Sequence, residues 1–179
     1  MSKEQQKTIR DVEHPKYYNS HPSGIECVQI TQKRDFNMGC VIKYIWRHGL
    51  KNEMGLDLNI KTIEDLRKAI VYLKFESKYL QDIVDGKVKS VEIHKITPFR
   101  KFIKSIISYH TKDKDLYYKN LILPTYSGYI ALALDAIWDI GLNLESDLLN
   151  MDDTQHKIKY GITFLESAIV EIERDEKYK

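Results

Sequence analysis

Cysteine and long apolar runs are scarce in this sequence. Its two cysteines, Cys27 and Cys40, lie in apolar segments with no histidine at metal-ligand spacing, so two buried thiols are favoured over a disulfide or a zinc site. No run approaches the ~18 apolar residues that a membrane helix needs, and the polar N-terminus lacks the apolar centre of a signal peptide. These absences predict a protein of a reducing cytoplasm with no membrane partner.

An excess of either charge is also missing. The 28 basic and 26 acidic residues give a formal net charge of +2, which excludes a protein that coats nucleic acid with massed positive charge. We therefore expect no strong nucleic-acid binding. Apolar residues make up 42% of the 179 positions, which is enough for a hydrophobic core without disulfides.

The spacings of common catalytic sites are absent as well. The sequence has no G-x-x-x-x-G-K-[ST] phosphate loop, no G-x-G-x-x-G dinucleotide motif and no serine nucleophile elbow. It also lacks the paired Glu-x-x-Glu helices that hold magnesium in all-α nucleotide pyrophosphohydrolases. We therefore predict no metal site. The histidines without metal-ligand spacing, predicted to be surface or hydrogen-bonding residues, are His14, His21, His94, His110 and His156.

Helical periodicity dominates what is present and predicts a mostly α-helical fold. A short helix is expected over about 25–33, and a second one runs from Asn37 to a left-handed end at Gly49. The stretch "TIED" predicts the start of a longer helix, with Thr62 as its cap and Asp65 in its first turn.

A turn-rich segment divides the chain into two parts. The stretch "VDGKVKSVEIHKITP" has a turn at Gly86, alternating apolar residues and a stop at Pro98, which predicts a linker or a short β-hairpin near 86–97. The predicted organisation is a flexible N-terminus, a first helical half, this linker and a second helical half, over residues 1–13, 14–85, 86–98 and 99–179.

The two halves resemble each other when the sequence is shifted by 92 residues. The stretch "IWRHGL" then aligns with "IWDIGL", and the capping and apolar positions of the following helix stay in register. Unrelated helix pairs would seldom share these positions, so a diverged internal duplication is favoured over chance similarity. We expect an active first half and a degenerate second half, which shapes the pocket or covers an apolar face of the first.

Cations of the first copy are not kept in the second. Lys43 and Arg47 align with Asp135 and Asp139. Residues that folding requires should persist in both copies, so cations kept only in the first become site candidates. Arg47 offers a bidentate fork for phosphate, whereas a lysine acts as a point charge. Two other interpretations stay open: a solvated helix face, or pairing of the cations with the two aspartates across a pseudo-twofold interface.

Four short motifs occur in order in the first half: "HPKYY", "GIE", "FNMGCVIKYIWRHGLKN" and "EDLRKAIVYL". In this order and spacing they resemble a small phage-encoded nucleotide kinase family, formerly of unknown function. The resemblance covers roughly residues 14–76. One position departs from the family pattern, because Cys40 follows Gly39 where the family has asparagine. The contact of that asparagine side chain is not carried over.

The resemblance implies a kinase that transfers a phosphoryl group from a nucleoside triphosphate to a deoxynucleoside monophosphate without a phosphate loop. It also implies a homo-oligomer in the cytoplasm of an infected bacterial host, and it leaves magnesium dependence open. The residues that match family motifs and suit phosphoryl transfer are, for catalysis, Glu26, Lys43, Arg47 and His48, and, for nucleotide binding, His14, Tyr17, Tyr18, Tyr44, Lys51, Asp65 and Lys68.

Two rival functions would use the same surface. A cationic and aromatic pocket also suits a non-catalytic protein that sequesters a nucleotide, including a signalling nucleotide of host defence, since binding an anion demands less than transferring it. A host-protein inhibitor that acts through an oligomeric surface is the third hypothesis. Glu26 and His48 favour the enzyme, because a simple phosphate trap needs no carboxylate. For each tyrosine, a role in packing alone stays an open alternative. For Asp65, the open alternative is helix capping.

Overall fold

Helices make up the described part of the chain, as the periodicity predicted. The computed structural model describes residues 12–13, 15–51, 55, 57–88, 115–142 and 144–176, and none of these residues lies in a β-strand. No described helix is long and apolar enough to cross a bilayer. The helices are α1 (Lys16–Asn19), α2 (Cys27–Thr31), α3 (Phe36–Trp46), α4 (Leu58–Val84), α5 (described over 115–122), α6 (Gly128–Ile137), α7 (Leu144–Leu149) and α8 (Met151–Glu176), with a 3₁₀ turn at Leu123–Thr125.

The predicted linker or hairpin lies mostly outside the described residues. Helix α4 ends at Val84, and Gly86 follows with φ of +68°, which is the left-handed turn that the sequence predicted. Residues 89–114 are outside the described ranges, so the hairpin near 86–97 stays a prediction. Residues 1–11 are outside them too, and residues 12–13 are helical.

Helices α2 and α3 form where the sequence supplies caps. Glu26 caps α2, and Gln29 completes a capping box by accepting the Glu26 amide at 2.8 Å. Asp35 begins α3 by accepting the Met38 amide at 2.8 Å. The chain leaves α3 through Gly49, whose φ of +69° is a left-handed conformation that glycine adopts without strain. Both predicted helices are therefore confirmed.

Helix α4 begins five residues earlier than "TIED" predicted. It starts at Leu58, and Asp57 caps it by accepting the Asn59 amide at 2.7 Å. Thr62 is instead a buried residue within the helix, and its hydroxyl donates to the Leu58 carbonyl at 2.7 Å. An aspartate is a stronger cap than a threonine, so the earlier start prevails. Asp65 therefore lies in the second turn, and its predicted capping role is wrong.

Side chains from both halves form one core. Helix α3 packs against α4, α6 packs against α8, and the two long helices α4 and α8 pack against each other. Met38, Leu66, Leu73, Leu134 and Leu165 come from these four helices, and each is at most 2% exposed. Burying a side chain of this size stabilises a fold by ~1.5–3 kcal/mol. Separating the halves would expose much of this area.

Two tryptophans and a buried ion pair join the shorter helices to this core. Trp46 Nε1 donates to the Tyr18 carbonyl at 3.1 Å, which fixes α1 against the end of α3. Trp138 Nε1 donates to Asp115 at 2.8 Å, and Asp115 also accepts two bonds from Arg34 at 3.2 Å. The segment before α3 is thereby tied to both α5 and the end of α6.

The two helix pairs correspond in length and position. Shifted by 92 residues, α3 and α4 would cover 128–138 and 150–176, and α6 and α8 begin within one residue of those positions. Gly49 and Gly141 both have left-handed backbones, with φ of +69° and +75°. This correspondence supports the duplication, which stays a prediction because packed helix pairs of similar length also arise independently.

Candidate functional site

Three cations surround the ring of Tyr44 in the last turn of α3. Lys43 Nζ lies 4.5 Å and Arg47 Cζ 4.7 Å from the ring centroid, and Lys68 Nζ reaches it from α4 at 5.9 Å. Positions 43 and 47 are about one helical turn apart and share a face. Because an aromatic face attracts cations, Tyr44 gathers positive charge at one point. We call these four residues the cation cluster.

Arg47 is held by a buried aspartate. Its Nε and Nη2 donate to the two Asp65 oxygens at 2.9 and 2.7 Å, and its Nη1 donates to the Tyr18 hydroxyl at 3.3 Å. Arg47 is 9% and Asp65 1% exposed. Burial alone lowers the pKa of Arg47, but the hydrogen bonds and charge of Asp65 raise it above its usual value. Part of the predicted phosphate-binding fork of Arg47 is thus bound to Asp65 and Tyr18. Only its remaining N–H groups can bind a ligand.

Lys43 is the cation with the least compensation in the cluster. Its half-buried side chain places Nζ 3.8 Å from Cys40 Sγ. Among the residues that the structure describes, no carboxylate forms an ion pair with it. A thiol compensates an ammonium charge poorly, so an incoming anion would find the strongest unbalanced charge at Lys43.

Glu64 forms an ion pair with Lys68, the cation of the cluster that lies on α4. It accepts hydrogen bonds from Lys61, at 2.6 Å, and from Lys68. These hydrogen bonds lower the pKa of Glu64 to about 2, so the carboxylate is ionised at any physiological pH. Lys68 therefore reaches Tyr44 as a partly neutralised charge.

Two further tyrosines extend the site beyond Arg47. The rings of Tyr17 and Tyr18 in α1 are 4.5 Å apart at an interplanar angle of 66°. Lys51 Nζ lies 6.0 Å from the centroid of the Tyr17 ring. The Tyr18 hydroxyl is the group that accepts a hydrogen bond from Arg47 Nη1. The predicted site residues that the structure brings together by direct contacts are Tyr17, Tyr18, Lys43, Tyr44, Arg47, Lys51, Asp65 and Lys68.

Three other predicted residues have a different place. His48 is half-buried; its Nδ1–H donates to the Ile45 carbonyl and its ring stacks on Tyr126 with centroids 5.5 Å apart. Burial lowers the pKa of His48, so the imidazole is neutral at pH 7. Glu26 caps α2, and its catalytic role stays a prediction. His14 lies outside the described residues.

Sequence reasoning missed the buried environment of His21. Its ring stacks on Trp46 at 4.2 Å, Nδ1 accepts from Ser23, and Nε2–H donates to the Thr125 hydroxyl at 3.0 Å. Burial, followed by the charge of His48, lowers the pKa of His21. The prediction of a hydrogen-bonding histidine is confirmed. The partners at Trp46 and Thr125 are distant in sequence, so no local pattern indicated them.

The aspartates of the second half do not reach the cation cluster. Asp135 pairs with Lys119 at 2.9 Å, and the partner of Arg47 is Asp65. Asp139 is exposed. Pairing between Arg47 and Asp139, one of the open interpretations, is therefore not found within the chain. In the described ranges, no three His, Cys, Asp or Glu side chains are arranged to hold a metal ion.

The comparison with known families matches the segment that carries this site. A family model described as a protein of unknown function, DUF3310, matches residues 12–74. No curated protein and no solved structure matches the chain. The matched segment runs from before α1 into α4 and contains all four residues of the cation cluster.

Proposed function

We propose that the chain is a nucleotide kinase that transfers a phosphoryl group from a nucleoside triphosphate to a deoxynucleoside monophosphate at the cation cluster. The observation that carries this proposal is the convergence of Lys43, Arg47 and Lys68 on one tyrosine ring, with Lys43 lacking an ionic partner among the described residues. The resemblance of the motifs in residues 14–76 to phage nucleotide kinases supports the same assignment.

The chemistry needs positioned positive charge more than it needs a base. A phosphate oxygen of the monophosphate attacks the γ-phosphorus, the bond from that phosphorus to the β,γ-bridging oxygen breaks, and two diphosphates result. A phosphate monoester is largely dianionic at pH 7 because its second pKa is about 6, so the attacking oxygen carries no proton to remove. Cations then stabilise charge on the transferred group. Magnesium would arrive on the phosphates of the triphosphate.

The Arg47–Asp65 pair gives this charge a fixed position. A guanidinium held by two bonds to a buried carboxylate does not have to be ordered when substrate binds. Such preorganisation is the main way in which a protein site stabilises a transition state. Arg47 acts in this proposal through its remaining N–H groups, while Lys43 supplies the mobile point charge.

The test is a transfer assay with a variant that spares the fold. Purified protein is incubated with each deoxynucleoside monophosphate and each triphosphate, with and without magnesium, and diphosphate is measured. Lys43→Met should lower the rate by about 10²–10³, whereas Lys74→Met, the same change at an exposed position on α4, should not. Arg47→Ala is a poorer first variant, because it strands the buried Asp65. No diphosphate from any pair would contradict the proposal.

Sequestration of a nucleotide is the second candidate. One observation favours it: the two carboxylates nearest the cluster are engaged, Asp65 by Arg47, and Glu64 by Lys61 and Lys68. Both carboxylates are neutralised by cations, so neither is available to hold a magnesium ion on the triphosphate, whereas holding an anion needs only the charge of the cluster. Tight binding in calorimetry with no turnover would establish this function in place of the kinase.

The same resemblance supports two further parts of the proposal. Phage kinases of this kind are homo-oligomers that act in the cytoplasm of an infected bacterium, and we extend both properties to this chain. Light scattering on the purified protein measures the oligomeric state directly. A monomer at all concentrations would remove the first of these properties.

A further inference from the structure

Two phenylalanine side chains are exposed along the seam between α3 and α4, on either side of the partly buried Tyr72. Phe36, the first residue of α3, is 75% exposed, and Phe75 of α4 is 54% exposed. Tyr72 lies between them, with its ring centroid 6.0 Å from Phe36 and 5.8 Å from Phe75. Contiguous exposed apolar surface of this kind usually marks a binding site.

The exposed rings connect directly to the cation cluster. Tyr72 stacks on Tyr44 with centroids 5.7 Å apart and an interplanar angle of 26°. Phe36 and Tyr44 are eight positions apart in α3, about 12 Å along the helix axis, and Tyr72 bridges that distance. We call Phe36, Tyr44, Tyr72 and Phe75 the aromatic strip. It has open rings at one end and Lys43, Arg47 and Lys68 at the other.

This polarity specifies the chemistry of the occupant. A ligand that fits both ends carries a flat apolar group and, some distance from it, a multiply charged anion. A nucleotide has this form, since its base stacks on aromatic side chains and its phosphates bind lysine and arginine. A second copy of the chain fits less well. An isologous contact pairs the same patch on both copies, and neither the strip nor the cation cluster includes a carboxylate that could pair with Lys43.

We infer that the aromatic strip is a base-binding subsite: one nucleotide stacks its base at Phe36, Tyr72 and Phe75 and places its phosphates at Lys43. This inference rests on the proposed nucleotide binding at the cation cluster. Tyr17 and Tyr18 lie on the other side of Arg47, which contacts Tyr18 and Tyr44 at once. Arg47 thus links two aromatic groups, one for each of the two nucleotides that a transfer brings together.

The strip also determines what the subsite selects. Phenylalanine rings offer no hydrogen bonds, and stacking is nearly independent of base identity because every base has a π-face. We therefore expect this nucleotide to be accepted with any of the four bases. The subsite would distinguish a nucleotide from a phosphate compound without a base, and it would not distinguish one base from another.

Calorimetric titration with two probes tests the inference. The probes are a deoxynucleoside triphosphate and inorganic tripolyphosphate, which has the phosphates without the base. Phe36→Ala/Phe75→Ala should weaken nucleotide binding about tenfold or more and leave tripolyphosphate binding unchanged. Both positions are more than half exposed, so the fold should be kept. Tyr160→Ala, at a 57% exposed aromatic of α8, is the matched control.

The outcomes separate this inference from the kinase proposal. Nucleotide binding that depends on the strip, without any diphosphate formed, would uphold the subsite and remove the kinase. Diphosphate formation with nucleotide affinity unchanged in Phe36→Ala/Phe75→Ala would do the reverse. A smaller oligomer with unchanged affinity in that variant would show the strip to be a contact between copies, and would overturn the inference. Absence of nucleotide binding in the wild type would overturn both.

Discussion

Arg47 donates through Nε and Nη2 to Asp65 and through Nη1 to the Tyr18 hydroxyl, and these contacts fix its guanidinium beside Tyr44. A buried pair of this kind stabilises a fold little compared with an apolar pair, because both charges have lost water. Removing one partner destabilises the fold strongly, because the other charge is then left buried and unpaired. The pair is therefore a vulnerable point of the fold as well as part of the site.

Replacing Asp65 with asparagine should reveal this dependence. We expect Asp65→Asn to lower the free energy of unfolding by about 3–5 kcal/mol, measured by urea denaturation. Arg67 and Glu173 form an ion pair at 3.0 Å whose side chains are 64% and 44% exposed. Glu173→Gln, the matched control, should cost less than about 1 kcal/mol. Equal effects of the two changes would contradict the buried-pair interpretation.

The residues of the site were easier to predict than their partners. Comparing the two halves indicated Lys43 and Arg47, because folding alone did not require cations there. The bond between Arg47 and Asp65 was missed, since "TIED" resembles a helix start and Thr62 looks like its cap. Which carboxylate binds Arg47 depends on how α3 packs against α4. The distance between side chains of two helices cannot be read from their spacing along the sequence.

Helices α4, α6 and α8 meet at Gly161. A Cβ added there would lie 2.5 Å from Ile137 Cγ2 and 3.5 Å from Leu73 Cδ1. Glycine in a helix interior normally costs about 1 kcal/mol relative to alanine. The absence of a side chain is therefore required by the close contact with Ile137 of α6 and not by backbone conformation.

Gly161→Ala should consequently destabilise the protein instead of stabilising it. We expect a loss of about 1–3 kcal/mol, typical of overpacking, in urea unfolding. Ile137→Ala removes the clashing methyl group, so a double-mutant cycle should show favourable coupling between the two changes. Strict additivity, or a gain in stability for Gly161→Ala alone, would argue against this contact.

Elements with strong local caps were predicted well, and packing details were not. The left-handed end at Gly49 was predicted and both helices were found, whereas the capping box of α2 was not recognised because Glu26 was assigned to catalysis. The start of α4 was misplaced because two residues, Asp57 and Thr62, were each able to cap it. Gly161 was not identified, since the need for a small residue is created by Ile137 of another helix.

The junction between the halves holds two buried carboxyl groups, Glu76 and Asp147, and the half-buried Asp35. Burial, and then the charge of Asp35, raises the pKa of Glu76 to about 7, and burial raises the pKa of Asp147 to about 6. Glu76 accepts from the Asn37 amide at 2.9 Å, and Asp147 accepts from the Gly141 amide at 3.0 Å. Within the part of the chain that the structure describes, the other Glu76 oxygen has no hydrogen-bond partner. A protonated Glu76 therefore suits this environment better than an ionised one.

This proton links stability to pH with a definite sign. The pKa of Glu76 is raised on folding from 4.5, so its stabilising contribution is complete below 4.5 and is lost as pH rises through about 7. Glu76→Gln does not titrate. Its stability relative to wild type should rise across this window by up to about 3 kcal/mol, measured by urea unfolding at a series of pH values. Burial lowers the pKa values of His21 and His48. Both histidines titrate in wild type and variant alike, so their contributions cancel in the difference in stability. A constant difference would contradict the prediction.

The joint core of the two halves was predicted only in outline. The sequence indicated that the second half covers an apolar face of the first, and Leu134 and Leu165 do pack with Leu66 and Leu73. The polar junction at Asp35, Glu76 and Gly141 was not foreseen, because its members come from three separate parts of the chain. Hydrophobic periodicity shows that a face must be covered, and it does not show which polar groups meet at its border.

The two free thiols lie close to Lys43. Cys40 Sγ is 3.8 Å from the Lys43 ammonium, and the Cys27 and Cys40 side chains are almost fully buried. Burial raises the pKa of Cys27 to about 12, so the thiolate that reacts with alkylating reagents is very rare in the closed protein. Alkylation has to wait until α2 separates from α3, and its rate measures how often that local opening occurs. The molecule thus contains a chemical reporter of motion beside the site where an anion would bind.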